Sequence, residues 1–150
     1  VIHIGDSVFS GCDSLTSITI PDSVTSIGSW AFSDCDSLTS VTIGNSVTTI
    51  GYDAFYDCDS LTDVYITDPN SWCKIAFGNS ESNPMYYGDC LHILDANGNE
   101  VTAISLDASV TKIPDRAFYK CAKLTSITIP DSVTYIDVWA FPTHTKIIRE

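Results

Sequence analysis

Basic residues are scarce in this chain: seven Lys and Arg face nineteen Asp and Glu, for a net charge of −12. A phosphate backbone requires clustered positive charge, and six of the seven basic residues lie late, between 112 and 149. Nucleic acid is therefore not expected as a partner. Long apolar runs are also missing, and none approaches the ~20 residues of a bilayer span, so no membrane insertion is expected in this segment. No charged stretch with a cleavage site precedes the repeats, which leaves any signal peptide outside this segment or already removed. Catalytic signatures are absent too: there are three histidines, and no G-x-S-x-G, H-E-x-x-H, phosphate-loop or dinucleotide-binding pattern. Neither an enzyme nor a bound cofactor is expected.

What the chain has is repetition. Residues 24–46, VTSIGSWAFSDCDSLTSVTIGNS, are followed at 47 by VTTIGYDAFYDCDSLTDVYITDP, and further copies begin at 1, 110 and 133. A period of 23 residues marks a stacked solenoid or a propeller. The columns define the core: Val1, Val24, Val47, Val110 and Val133; Ile4, Ile27, Ile50, Ile113 and Ile136; Phe9, Phe32, Phe55, Phe118 and Phe141; Leu15, Leu38, Leu61 and Leu124. One coil cannot bury such a set by itself, whereas stacked coils cover each other.

Within a copy, Leu15-Thr-Ser-Ile18-Thr-Ile20 ends in the alternation of a half-buried strand, with Ile18 and Ile20 inward and Ser17 and Thr19 outward. Pro21-Asp22-Ser23 is turn chemistry. The spacing from Gly28 to Cys35 predicts one short α or 3₁₀ turn per coil, opposite the strands. Outward rows then run Ser17 and Thr19, Ser40 and Thr42, Asp63 and Tyr65, Ala103 and Ser105, Ser126 and Thr128.

L-x-x-I-x-I followed by P-x-x-V-x-x-I-G-x-x-A-F-x-x-C resembles the BspA-like, Treponema-type leucine-rich repeats, closely so over 1–69 and 101–141. The resemblance implies a leucine-rich repeat solenoid, mostly β, with a parallel sheet on one face. It also implies a cell-surface or secreted bacterial protein linked to adhesion, with a protein or glycan ligand. A structural spacer presenting another domain is the alternative. A single domain over 1–150 is expected, as a monomer and as part of a longer chain, since Val1 offers no cap and Pro142–Glu150 departs from the pattern as if closing the far end.

The register breaks between 70 and 109, because Val47 and Val110 are 63 residues apart, not a multiple of 23. VTAISLDAS at 101–109 restores a strand, whereas 70–100 reads as a divergent insert. In it Trp72, Ile75 and Phe77 plug the stack, and Leu91–Leu94, Asp95–Glu100 and Val101 read as strand, Asn-Gly turn and strand. Inserts of this kind are also implied by the family resemblance.

Asp63 and Tyr65 break the Ser/Thr consensus just before the insert, and Tyr is enriched at contacts. With Tyr52, Tyr56, Trp72, Tyr86 and Tyr87 they form the candidate binding patch. Trp30 and Trp139 share a variable column and are expected to pack on the neighbouring coil. Asp13, Asp36 and Asp59 recur as turn and solubility residues, and stacked carboxylates about 4.8 Å apart are also a calcium candidate. Cys12, Cys35, Cys58 and Cys121 form a column of buried thiols. Cys73 and Cys90 lie in the insert, where an extracellular setting would allow a disulfide stapling the loop.

Overall fold

The computed structural model describes residues 2–150, so Val1 and its place in the repeat lie outside the described residues. The strands are β1 (Ile2–Ile4), β2 (Ser17–Ile20), β3 (Val24–Ile27), β4 (Ser40–Ile43), β5 (Thr49–Ile50) and β6 (Asp63–Ile66). A single α-turn, α1 (Pro69–Cys73), precedes β7 (Ala76–Phe77), β8 (Cys90–Ile93), β9 (Ala103–Ser105), β10 (Lys112–Ile113), β11 (Ser126–Ile129), β12 (Tyr135–Ile136) and β13 (Lys146–Arg149). Every strand-to-strand pairing is parallel. The main sheet runs β2-β4-β6-β8 and then β9-β11-β13, and a narrower second sheet runs β1-β3-β5-β7 and then β10-β12.

In the main sheet, Ser17 pairs with Ser40 and Ser40 with Asp63, one 23-residue step each. Alternation then sends Val41, Ile43, Val64 and Ile66 into the core and leaves the Ser/Thr row facing out. Phe32, Phe55 and Phe118 are fully buried. Their rings stack along the solenoid, Phe9 on Phe32 at 5.3 Å, Phe32 on Phe55 at 5.4 Å and Phe118 on Phe141 at 5.9 Å.

The short turn expected in each coil is reduced to isolated bonds three residues apart, such as the Ser33 N–H to the Trp30 carbonyl at 3.2 Å, and does not grow into a helix. Left-handed residues interrupt it, Trp30 at φ 53° and Asp34 at φ 56°, with Asp53, Asp57, Arg116 and Trp139 at equivalent places. The backbone instead bonds between coils: the N–H groups of Trp30, Phe32 and Asp34 donate to the carbonyls of Tyr52, Ala54 and Tyr56 at 2.8–2.9 Å. A helix would use those donors locally, so the stack and the helix exclude each other. The Cys column completes this ladder, Cys35 donating its thiol to the Phe9 carbonyl and Cys58 to that of Phe32, both at 3.1 Å.

The supposed insert contains a coil in its own right, four residues longer than the 23-residue repeat. Ala76 and Phe77 pair with Thr49 and Ile50, and Cys90–Ile93 pairs with Asp63–Ile66, steps of 27 residues. Asp68 caps α1 by accepting from the Asn70 N–H at 2.9 Å, and two 3₁₀ turns, Ser80–Ser82 and Pro84–Tyr86, take up the extra length. Gly78 confirms the register. A Cβ there would lie 2.8 Å from the Tyr52 nitrogen, as one at Gly51 would lie 2.5 Å from the Ser29 nitrogen, so both positions require a residue without a side chain.

Beyond this coil the second sheet stops, and the glycine column stops with it. Gly28, Gly51 and Gly78 each donate their N–H to the preceding coil, but the next residue in the column is Pro114, which has none. The main sheet is interrupted by a reverse turn. Asp95 Oδ1 accepts from the Asn97 and Asn99 N–H groups at 2.9 Å, and Gly98 supplies φ 80°. The turn agrees with the expected hairpin, but its second arm shrinks to one antiparallel bridge, Leu94 with Glu100. The chain then enters β9, which pairs with β11, Ala103 to Ser126.

The last segment differs from expectation as well. Instead of covering the end, Lys146–Arg149 adds a further parallel strand that leaves Ile147 and Ile148 exposed. Among the described residues, no helix is long and apolar enough to cross a membrane.

Candidate functional site

The outward row of the main sheet changes character at β6 and β8. Register places Tyr65 beside His92, and their rings stack with centroids 4.6 Å apart. Both imidazole nitrogens are engaged: Nε2 meets Asp63 Oδ1 at 2.8 Å, and Nδ1 contacts Glu100 Oε1, brought in by the reverse turn. Glu100 also pairs through Oε2 with Lys123 from the following coil. The Thr62 hydroxyl donates to Asp63 Oδ2 at 2.7 Å. Two carboxylates from different segments thus meet one ring, and Lys123 backs one of them.

These contacts set the protonation. Hydrogen bonds from His92 and then Thr62 hold Asp63 below the usual carboxylate range. Lys123 first, and His92 second, do the same for Glu100. Partial burial pulls His92 down, but its hydrogen bonds to Glu100 and Asp63 and their charges outweigh that and raise it above its ordinary value.

The other predicted patch residues are not on this face. Trp72 is buried, its indole N–H donating to the Ala117 carbonyl at 2.7 Å, so it plugs the stack as expected but offers no binding surface. Tyr52, Tyr56 and Tyr86 are exposed on the turn segments, with Arg116 4.9 Å over the Tyr86 ring, and Tyr87 is half-buried against Tyr86. Trp30 and Trp139, both with left-handed backbone, are 48% and 62% exposed on the same turn side; Trp139 packs on the neighbouring coil as expected, edge-on to Tyr119 at 5.8 Å.

Asp13, Asp36 and Asp59 sit exposed in successive coils, and among the described residues no group of three or more His, Cys, Asp or Glu could hold a metal ion. The calcium candidate is thereby corrected, since a column along the solenoid does not converge on a point. The Cys73–Cys90 bridge does not form either. Both are free thiols, Cys73 buried at the end of α1 and Cys90 opposite Asp63 in the sheet. Burial raises Cys58, Cys73 and Cys121 to about 12.

His92 and Glu100 were missed as site residues. His92 had a signal, since Leu91-His92-Ile93 repeats the in-out-in pattern of Val64-Tyr65-Ile66. Glu100 had none, because the reverse turn alone brings it to the ring. A cleft of about 210 Å³ marks the break in the second sheet, lined by Phe77, Asn79, Lys112, Pro114, Asp115 and Asp137.

Stacked parallel strands with one row of outward side chains define a leucine-rich-repeat-type solenoid. The sequence matches the model of the BspA type leucine rich repeat region in six copies, over residues 1–87 and 96–149. The chain belongs to this family. It is similar to solved leucine-rich repeat proteins from Bacteroides capillosus (31% identity, 59% of this chain and 58% of that one, TM-score 0.47) and T. pallidum (21% identity, 98% and 66%, TM-score 0.44). A leucine rich cell surface protein from Faecalibacterium prausnitzii is 22% identical over 100% of this chain and 65% of its own, with a TM-score of 0.37. The chain therefore spans about two thirds or less of the length of these proteins. No curated protein matches it.

Proposed function

We propose that this chain is a non-catalytic binding module of a cell-surface or secreted protein, which takes a protein or glycan ligand on the main-sheet face around Asp63, Tyr65 and His92, in an adhesive role. The observation that carries this is the loss of the Ser/Thr row at β6 and β8, where an aromatic pair and paired charges replace it. Family membership and the surface description of the F. prausnitzii protein support the location.

A spacer is the second reading, favoured by the small polar row elsewhere: Ser17, Thr19, Ser105 and Thr128 offer little to grip. Glycan and matrix-protein arrays probed with this chain separate the two. Tyr65→Ala combined with Asp63→Ala is expected to reduce capture at least ~30-fold, as for a contact of about 2 kcal/mol. Tyr52→Ala with Tyr56→Ala, on the turn side, is expected to leave it unchanged. Capture that survives the first pair of substitutions sinks the sheet-face reading, and no capture on any array supports the spacer.

A further inference from the structure

The cluster on His92 is tied to an exposed reverse turn. The segment 95–99 is exposed at every residue and forms the tip of the reverse turn. Main-chain bonds at its base, the Val101 N–H to the Ile93 carbonyl at 2.8 Å and the Leu94 N–H to the Ile66 carbonyl at 2.9 Å, anchor its two ends. Glu100 is the side chain that fastens its returning arm to the sheet face, through His92 on one oxygen and Lys123 on the other.

We propose that Asp63, His92, Glu100 and Lys123 form a proton-operated clamp: with His92 protonated, the reverse turn 94–100 is held against Tyr65 as one continuous surface, and loss of the proton releases it. The regulation rests on the main-sheet face being the binding surface, and it makes binding there stronger as pH falls toward neutrality.

The geometry argues for this. A neutral imidazole has one N–H and one lone pair, yet both ring nitrogens face carboxylate oxygens. Once the proton leaves, one carboxylate meets a lone pair and that contact must open. Neither carboxylate can take the proton in its place near neutral pH, because Thr62 donates to Asp63 and Lys123 pairs with Glu100. The remaining facing groups add no competing cation at the ring: Tyr65 stacks on it from β6, the Cys90 thiol shares its strand, and Lys120 is paired with Asp89 at 3.1 Å. Tyr65 against the ring also favours the imidazolium, as an aromatic face attracts a cation.

The sign follows from the raised His92 and the lowered carboxylates. The His92 contribution is complete below about 6.5, the unfolded value, and is lost as pH rises through its higher folded value. The carboxylate contributions are present above about 4 and are lost as pH falls through their lowered folded values. The clamp is closed between those limits.

The test uses the free chain and needs no ligand. His92 is followed by NMR from pH 5 to 9, and amide exchange of residues 94–101 is measured over the same range, with the β4 amides as internal reference. We expect His92 to titrate above about 6.5 and exchange in 94–101, after correction for intrinsic rates, to rise about tenfold or more with the same midpoint. Glu100→Gln keeps the shape and removes one charge, so it should lower the His92 midpoint and erase the step. Titration of His92 at or below 6.5, or exchange without a step, overturns the clamp. A working clamp in a chain that captures nothing on the arrays would instead overturn the binding reading alone.

Discussion

Phe55→Ala tests the stack most directly. The ring is fully buried and lies on Phe32 at 5.4 Å with an interplanar angle of 11°. Its removal leaves a cavity between neighbouring coils that stacked backbones cannot close, because the glycine column already brings them to contact distance. A buried Phe truncated to Ala costs about 3–5 kcal/mol, with about 0.5–1.5 kcal/mol of stacking included. Repeat stability is close to a sum of nearest-neighbour terms, so the loss falls on both interfaces of the third coil. Phe9 makes the internal comparison: like Phe55 it stacks on Phe32, but it is partly exposed, so Phe9→Ala should cost clearly less. Urea unfolding followed by circular dichroism reads both, as a shift of the midpoint at constant slope. A Phe55→Ala loss below about 1 kcal/mol, or equal losses at the two positions, would refute the stacked aromatic core.

Gly51→Ala should destabilise by about 1–3 kcal/mol or more in a thermal melt, since its Cβ meets the Ser29 backbone nitrogen at 2.5 Å. Gly98→Ala, with open space but φ 80°, should cost about 1–2 kcal/mol and disturb only the reverse turn. Trp72→Phe removes the donor to the Ala117 carbonyl and should cost about 1–3 kcal/mol by the same melt; a neutral outcome would show that carbonyl to be satisfied otherwise. With Cys58, Cys73 and Cys121 buried and raised to about 12, a thiol reagent at pH 8 should label the half-buried Cys12 and Cys90 first. All six should react in denaturant without reductant, and a shortfall of two would restore the Cys73–Cys90 bridge.

The strand columns were legible because burial acts on each coil alike: Ile18, Val41 and Val64 recur at the same step and pair in that order. The turn segment was not, since Trp30-Ala31-Phe32 has helical spacing while its hydrogen bonds go to another coil, which no local window records. Left-handed φ was equally hidden, falling on Ser7, Trp30, Asp53 and Arg116, which share no chemistry that announces it. The 27-residue coil was disguised by its length alone. Phe77-Gly78 stands in the Ile-Gly columns and Leu91-His92-Ile93 in the strand columns, so counting from both ends would have found it. Of the candidate site, Asp63 and Tyr65 were readable as departures from consensus; Glu100 reaches the ring through chain reversal and Lys123 reaches Glu100 through stacking, which the sequence order conceals.

A regular solenoid faces a problem of address. Ser17 and Thr19, then Ser40 and Thr42, present the same groups at the same spacing, so a ligand matched to one coil is matched as well to its neighbour. Specificity therefore has to come from a position that the repeat does not copy. The long coil supplies it by a chain of local causes. It folds through α1 and two 3₁₀ turns, the second ladder stops before Pro114, and the reverse turn follows the end of the first main sheet at β8. Where both ladders stop, the Leu91 N–H bonds the Lys120 carbonyl in place of a strand partner, and Glu100 and Lys123 come within reach of the outward row. The same fault that spoils the periodicity thus assembles the only convergent set of charges on the described sheet face, and places an aromatic pair at its edge.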